Sequence, residues 1–151
     1  MVYLIIVLVL CSIVISILKL KPSKHEKMLG ALRSAAISDG LVVRVVWLKE
    51  FDWIDNAFAP GQFVAYQRTG QSRQNAWHCV PTDDESKGWQ VEGELCVVEI
   101  DQIRQLRKKL GERLIAVERL PVAIVVYWLE EKEYYSDVLR YLLQEQVASD
   151  E

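Results

Sequence analysis

Histidine is nearly absent from the 151-residue sequence, with His25 and His78 as its two members, and cysteine is limited to Cys11, Cys79 and Cys96. Neither Cys-x-x-Cys nor His-x-x-x-His spacing occurs, so no zinc site is encoded in the usual way. His78 and Cys79 are neighbours, but adjacent residues of a strand point to opposite faces, which argues against a thiol–imidazole pair. The glycines at 61, 70, 88 and 93 form no phosphate-cradling loop, and there is no Gly-x-Ser-x-Gly elbow. Asp83-Asp84-Glu85 lacks the spaced ligands of a calcium loop and reads as a solvated turn. A formal net charge of −3 leaves no global positive field to gather nucleic acid. The sequence therefore nominates no catalytic, metal or cofactor-binding residue, and no nucleic-acid partner.

What is present is one long apolar run, Val2 to Leu18, in which only Cys11, Ser12 and Ser16 interrupt Val, Leu, Ile and Tyr. As a helix it rises roughly 25 Å, the short end of what crosses a hydrocarbon core. Residues 1–20 are expected as a transmembrane anchor, with Val2, Leu4, Ile5, Leu8, Leu10, Ile13, Ile15 and Leu18 facing lipid. No Lys or Arg precedes the run, whereas Lys19, Lys21, Lys24, Lys27 and Arg33 follow it. That asymmetry keeps the C-terminal side in the cytoplasm and offers those five residues to lipid headgroups. A cleaved signal peptide fits less well, because the run lacks a basic leader and a small-residue cleavage site.

Residues 21–151 are expected as one cytoplasmic domain, since about 130 residues suffice for one core and not for two. Ser23 and Glu26 form a capping-box pattern that opens a helix with apolar positions Met28, Leu29, Leu32, Ala35 and Ala36, and Asp39-Gly40 ends it. Leu41 to Leu48 reads as a strand, with both faces covered because only Arg44 breaks the apolar series. Gln62 to Arg68, Ala76 to Val80 and Trp89 to Val98 read as further strands of a β-rich middle. Asp101 is a plausible N-cap for a helix whose apolar face runs through Ile103, Leu106, Leu110, Leu114 and Val117. Val122 to Leu129 is the strongest strand, apolar throughout. Glu130, Glu131 and Glu133 suit the first turn of a last helix with a stripe of Tyr135, Leu139, Leu142 and Leu143. The fold class is α+β: an N-terminal transmembrane helix, then one small domain of a mainly antiparallel sheet packed by about three helices.

Five tryptophans carry the functional signal. Trp47 and Trp128 sit in apolar strands and read as core. Trp53, Trp77 and Trp89 lie in or beside loops and, with Phe58, are candidate interface anchors, because aromatic residues are enriched at interface centres. Arg104, Arg107, Lys108, Lys109 and Arg113 make a basic helix face, read first as a solvated surface.

The plan of the chain, with Lys21-Pro22-Ser23, Leu32-Arg33 and Gly40-Leu41-Val42 after the anchor, resembles that of small uncharacterised single-pass inner-membrane proteins of Gram-negative bacteria. The resemblance covers the first third of the chain and implies an address in the bacterial inner membrane. The expected role is an accessory or scaffold protein whose cytoplasmic domain docks on a larger membrane complex or self-associates, with membrane lipid as its other partner. The alternatives are a membrane-tethered enzyme acting on a lipid or small molecule, and a lipid-surface sensor.

Overall fold

A computed structural model describes residues 2–19, 23–54, 61–70, 76–81, 89–93 and 97–144. In chain order these form α1 (Val2–Lys19), α2 (Lys24–Ser38), β1 (Val42–Trp47), β2 (Gln62–Thr69), β3 (Trp77–Pro81), β4 (Trp89–Gly93), α3 (Val97–Leu110), β5 (Leu114–Leu120), β6 (Ala123–Trp128) and α4 (Tyr135–Gln144). The strands make one sheet in the order β1-β2-β6-β5-β3-β4, and every neighbouring pair is antiparallel. The class is α+β, as the alternation of helical and strand periods implies.

β6 lies at the middle of the sheet and all six of its residues are buried. Ile124, Val126 and Trp128 face one way, and Ala123, Val125 and Tyr127 the other, so a two-sided apolar strand is what this position requires. On the first face α2, α3 and α4 all pack, burying Leu32, Ile103, Leu106, Val138 and Leu142 against Tyr66, Val117 and Val126. Truncating Leu142 to Ala, which is wholly enclosed, costs about 2–5 kcal/mol. On the second face Phe63, Ala65, Val125 and Tyr127 are covered by the segment Leu48 to Ile54, whose Ile54 is buried and whose Phe51 and Trp53 are half-buried.

Local chemistry explains most element ends. Ser23 Oγ accepts from the Glu26 N–H at 3.1 Å while the Glu26 carboxylate accepts from the Ser23 N–H, completing the expected capping box. Gly40, at φ 81°, lets the chain reverse after α2, with the Leu41 N–H reaching Ala36 O at 3.0 Å. Gly93, at φ 107°, closes β4 where a Cβ would stand 2.6 Å from Ala76 O, so no other residue fits. Gly111, at φ 59°, stops α3.

Four expectations are corrected. Gly111 ends α3, and the continuation through Leu114 and Val117 is strand β5, joined to β6 by the two-residue turn at Pro121 and Val122. A register shift between Leu114 and Ala116 sets Ile115 and Ala116 on the same face, which blurs the strand alternation in the sequence. α3 itself begins at Val97, one turn before Asp101. Among the described residues β1 is an edge strand, and Val42, Val45 and Trp47, 46, 42 and 49% exposed, do not carry the core. In α4 the buried face is Val138, Tyr141 and Leu142, with Leu143 turned outward, and Glu130 and Glu131 precede the helix.

α1 is apolar around its whole circumference: Tyr3 and the described side chains of residues 5–16 are all exposed, among them Ile5, Leu8, Leu10, Ile13 and Ile15. Among the described residues no helix is long and apolar enough to cross a membrane. At 18 residues the described α1 rises about 27 Å, against a hydrocarbon core of roughly 30 Å, and so falls short of the span expected of a transmembrane anchor. The side chains of Val2, Leu4, Leu18 and Lys19, and all of Lys21, lie outside what is described.

Candidate functional site

The aromatic residues nominated for docking do not share one fate. Trp53 folds back onto the sheet because the turn after β1 returns the chain across the second face. Its ring lies 4.4 Å from that of His78, 5.6 Å from Phe51 and 5.9 Å from Tyr127, the last two edge-on. Trp77 is only 2% exposed and faces the helices from β3, so it belongs to the core rather than to a displayed loop. Trp89 opens β4 with its side chain outside the described set, as is Phe58 altogether. His78 and Cys79 do point to opposite faces: His78 Nε2 stands 3.2 Å from Glu92 Oε2, while Cys79 is buried under the helices. Burial pushes the Cys79 thiol up to about 12, which leaves it protonated and unreactive at neutral pH.

Polar groups enter the helix face at two places. In one, Glu130 sits two residues past the end of β6 with a side chain 2% exposed, where Arg33 Nε donates to it at 2.8 Å and Tyr66 Oη donates at 2.8 Å. Burial and the bond to Glu130 push the Tyr66 hydroxyl far above the ordinary tyrosine range. The side-chain bond to Glu130 also raises Arg33. Close by, Tyr135 donates to Asp39 Oδ2 at 2.8 Å, so α2 is tied to α4 as well as to the sheet. In the other, Glu99 on the first turn of α3 lies 3.1 Å from Arg119 Nε of β5 and accepts from Trp77 Nε1 at 3.2 Å. Arg119 stacks its guanidinium 5.7 Å from the Trp77 ring centre. The buried Tyr141 hydroxyl has no hydrogen-bond partner among the described residues, and burial holds it protonated well above the usual range.

The cationic residues divide in the same way. Lys24 and Lys27 are exposed on the first turn of α2, whereas Arg33 is committed to Glu130. On α3 and just beyond it, Arg104 pairs with Asp101 at 2.9 Å, Lys109 with Asp137 at 2.6 Å, and Arg113 with Glu131, and Arg113 also covers the Tyr134 ring at 5.0 Å. Much of the basic face is thus tied to acidic neighbours on α3, on α4 and before it. Among the described residues no group of three His, Cys, Asp or Glu side chains is placed to hold a metal ion.

The unsatisfied surface is elsewhere. Among the described residues outside α1, the large apolar side chains left exposed are Ile37, Val42, Val45, Trp47, Val91, Val122 and Leu143. Three of these seven belong to β1, whose outer side is unpaired among the described residues. Val43, Val45 and Trp47 project on the helix face, opposite Tyr66, Val64 and Gln62, while Val46 is buried on the other face opposite Phe63. Arg44, the only charge on the strand, directs its Nη2 inward to Gln67 Oε1 at 3.3 Å, over its own sheet. The result is an open backbone edge flanked by apolar side chains, a surface that pairs readily with another strand.

Sequence reasoning missed Glu99, Arg119, Glu130 and the open edge. Glu99 does appear as a polar break in an apolar stretch, whereas Arg119 follows Glu118 and Glu130 opens a charged run, and the partner of each lies 20 or more positions away with no local signature. Comparisons with models of protein families, with curated proteins and with solved structures found no match.

Proposed function

We propose that the chain is a membrane-anchored accessory or scaffold protein, whose domain faces the cytoplasm at the bacterial inner membrane and docks on a larger membrane complex or on itself. The observation that carries the reading is the concentration of exposed apolar side chains on β1, whose outer side is unpaired among the described residues. Monomeric proteins normally blunt such edges with charges, bulges or cover, and among the described residues β1 has only the inward-leaning Arg44.

The anchor is α1. Its 18 residues include thirteen Val, Leu and Ile side chains, each contributing about 0.3–0.6 kcal/mol to insertion. A shortfall of about 3 Å against the bilayer costs on the order of 1–2 kcal/mol, met by local thinning. Lys24 and Lys27, exposed where α2 begins, add headgroup attraction. The excess of Lys and Arg after the run orients the domain to the cytoplasm.

The test is in two parts. Alkaline carbonate extraction should leave the full chain in the membrane pellet, and a reporter fused after Glu151 should read as cytoplasmic. Replacing Val45 and Trp47 together with Lys should then release whatever co-elutes with the chain in mild detergent, while leaving the thermal transition in place. Extraction into the soluble fraction, or unchanged co-elution with the double variant, would refute the reading.

A second reading, a membrane-tethered enzyme, has one observation in its favour: the buried Glu99, Arg119, Trp77 and Tyr141 gather ionisable and hydrogen-bonding groups in one place. Glu99→Gln would separate the two, since loss of a lipid-modifying activity in membranes at unchanged partner retention supports the enzyme alone.

A further inference from the structure

We infer that the occupant of the β1 edge is β1 of a second copy of the chain, paired antiparallel about a two-fold axis through Val45 to make one continuous twelve-stranded sheet. This rests on the docking reading above and names its partner.

The register follows from the strand itself. A two-fold axis perpendicular to a sheet pairs residues of like face, so it must pass through a residue position. An axis through Arg44 would set guanidinium against guanidinium, and like charges directly opposite are destabilising. An axis through Val45 sets Val45 against its counterpart and each Trp47 against the opposite copy's residue at position 43, a large side chain beside a small one. The exposed surfaces of Val45 and Trp47 then cover one another on the helix face. On the other face position 44 meets position 46, and Arg44 stays over its own Gln67, clear of the junction. The other edge of the sheet is less suited to such pairing, since β4 sets Gln90 and Glu92 on either side of its exposed Val91 and ends at Gly93.

The symmetry also fits a tethered protein. Two copies inserted in one orientation can share a two-fold axis along the membrane normal, the axis this pairing needs when the sheet lies parallel to the bilayer. A six-residue strand pair falls at the low end of interface size, so confinement to a membrane supplies the effective concentration that the contact area does not.

The experiment is disulfide trapping of the full chain in native membranes, with Cys11 and Cys96 replaced by Ser. Val45→Cys should give a disulfide-linked dimer on mild oxidation. Val43→Cys and Trp47→Cys should link efficiently only when the two variants are co-expressed. Val122→Cys, more exposed at the β5–β6 turn than Val45 is on β1, should remain monomeric. Adding Trp47→Lys to Val45→Cys should reduce the dimer about tenfold or more. No dimer at Val45, or equal yield at Val122, overturns the inference. If Val45→Cys stays monomeric while the Val45→Lys, Trp47→Lys double variant still releases a different co-eluting membrane protein, self-pairing falls and the docking reading stands. If neither effect is seen, both fall.

Discussion

Arg33 and Glu130 stand 97 positions apart in the chain and meet on the helix face, where Arg33 Nε donates to Glu130 at 2.8 Å. Their exposure is unequal: 35% for the Arg33 side chain and 2% for that of Glu130. The carboxylate is sealed in, and the guanidinium has one side in water.

That inequality predicts unequal mutants. Arg33→Ala strands a buried carboxylate with Tyr66 as its remaining donor, and should cost about 3 kcal/mol, the lower end for a broken buried pair because water can follow the vacated side chain. Glu130→Gln keeps an acceptor for Tyr66 and lets Arg33 turn to solvent, and should cost about 1–2 kcal/mol. Urea titration of the two variants measures the difference, and the reverse order would show that Glu130 is not enclosed.

Alkali should unfold the domain through its tyrosines. Burial and hydrogen bonds raise Tyr66 and Tyr127 and hold Tyr135 near about 12, and burial above all raises Tyr141, all above the ordinary value of 10.0. A hydroxyl whose folded pKa is raised contributes stability that is whole below pH 10 and is lost as pH climbs from there through the folded pKa, since only the unfolded chain releases the proton. Stability should therefore fall steeply between pH 10 and 12, with tyrosinate absorbance rising together with loss of circular dichroism. Tyrosinate formation complete before unfolding would contradict these environments.

Trp47 and Trp53 should separate stability from association. Trp53 packs on His78, Phe51 and Tyr127, so Trp53→Ala should cost about 2–3 kcal/mol, somewhat less than a fully buried tryptophan. Trp47 is 49% exposed at the sheet edge, and Trp47→Ala should cost under about 1 kcal/mol while weakening association. Thermal melts paired with detergent co-elution read both effects, and a large stability loss in Trp47→Ala would place it in the core after all.

Cys79 should resist thiol reagents in the folded chain. Its sulfur is buried and its pKa is raised to about 12, so the thiolate is scarce at pH 8. Alkylation of a Cys11→Ser, Cys96→Ser variant should be slow in buffer and rapid in denaturant. Fast labelling in buffer would mean that α3 or α4 opens readily over the sheet.

The α+β class, the α2 capping box and its glycine stop, and the central two-sided strand β6 were legible in the sequence because each rests on local periodicity or on a residue's own backbone preference. Ser23 needs only Glu26 three residues later, and Gly40 only its own positive φ. The same local rules failed where an apolar run had more than one solution. Leu114 to Leu120 satisfies a helical face and a bulged strand alike, and the choice fell to hydrogen bonds with β3 and β6 that only the assembled sheet supplies. Val42 to Trp47 looks like a central strand because composition reports β preference and not the number of neighbours. Glu130 and Glu99 look like surface carboxylates until Arg33 and Arg119 arrive from distant segments to offset their burial. Local free energy is written in the order of the residues, whereas burial, pairing and the open edge at β1 depend on which distant segments the fold brings together.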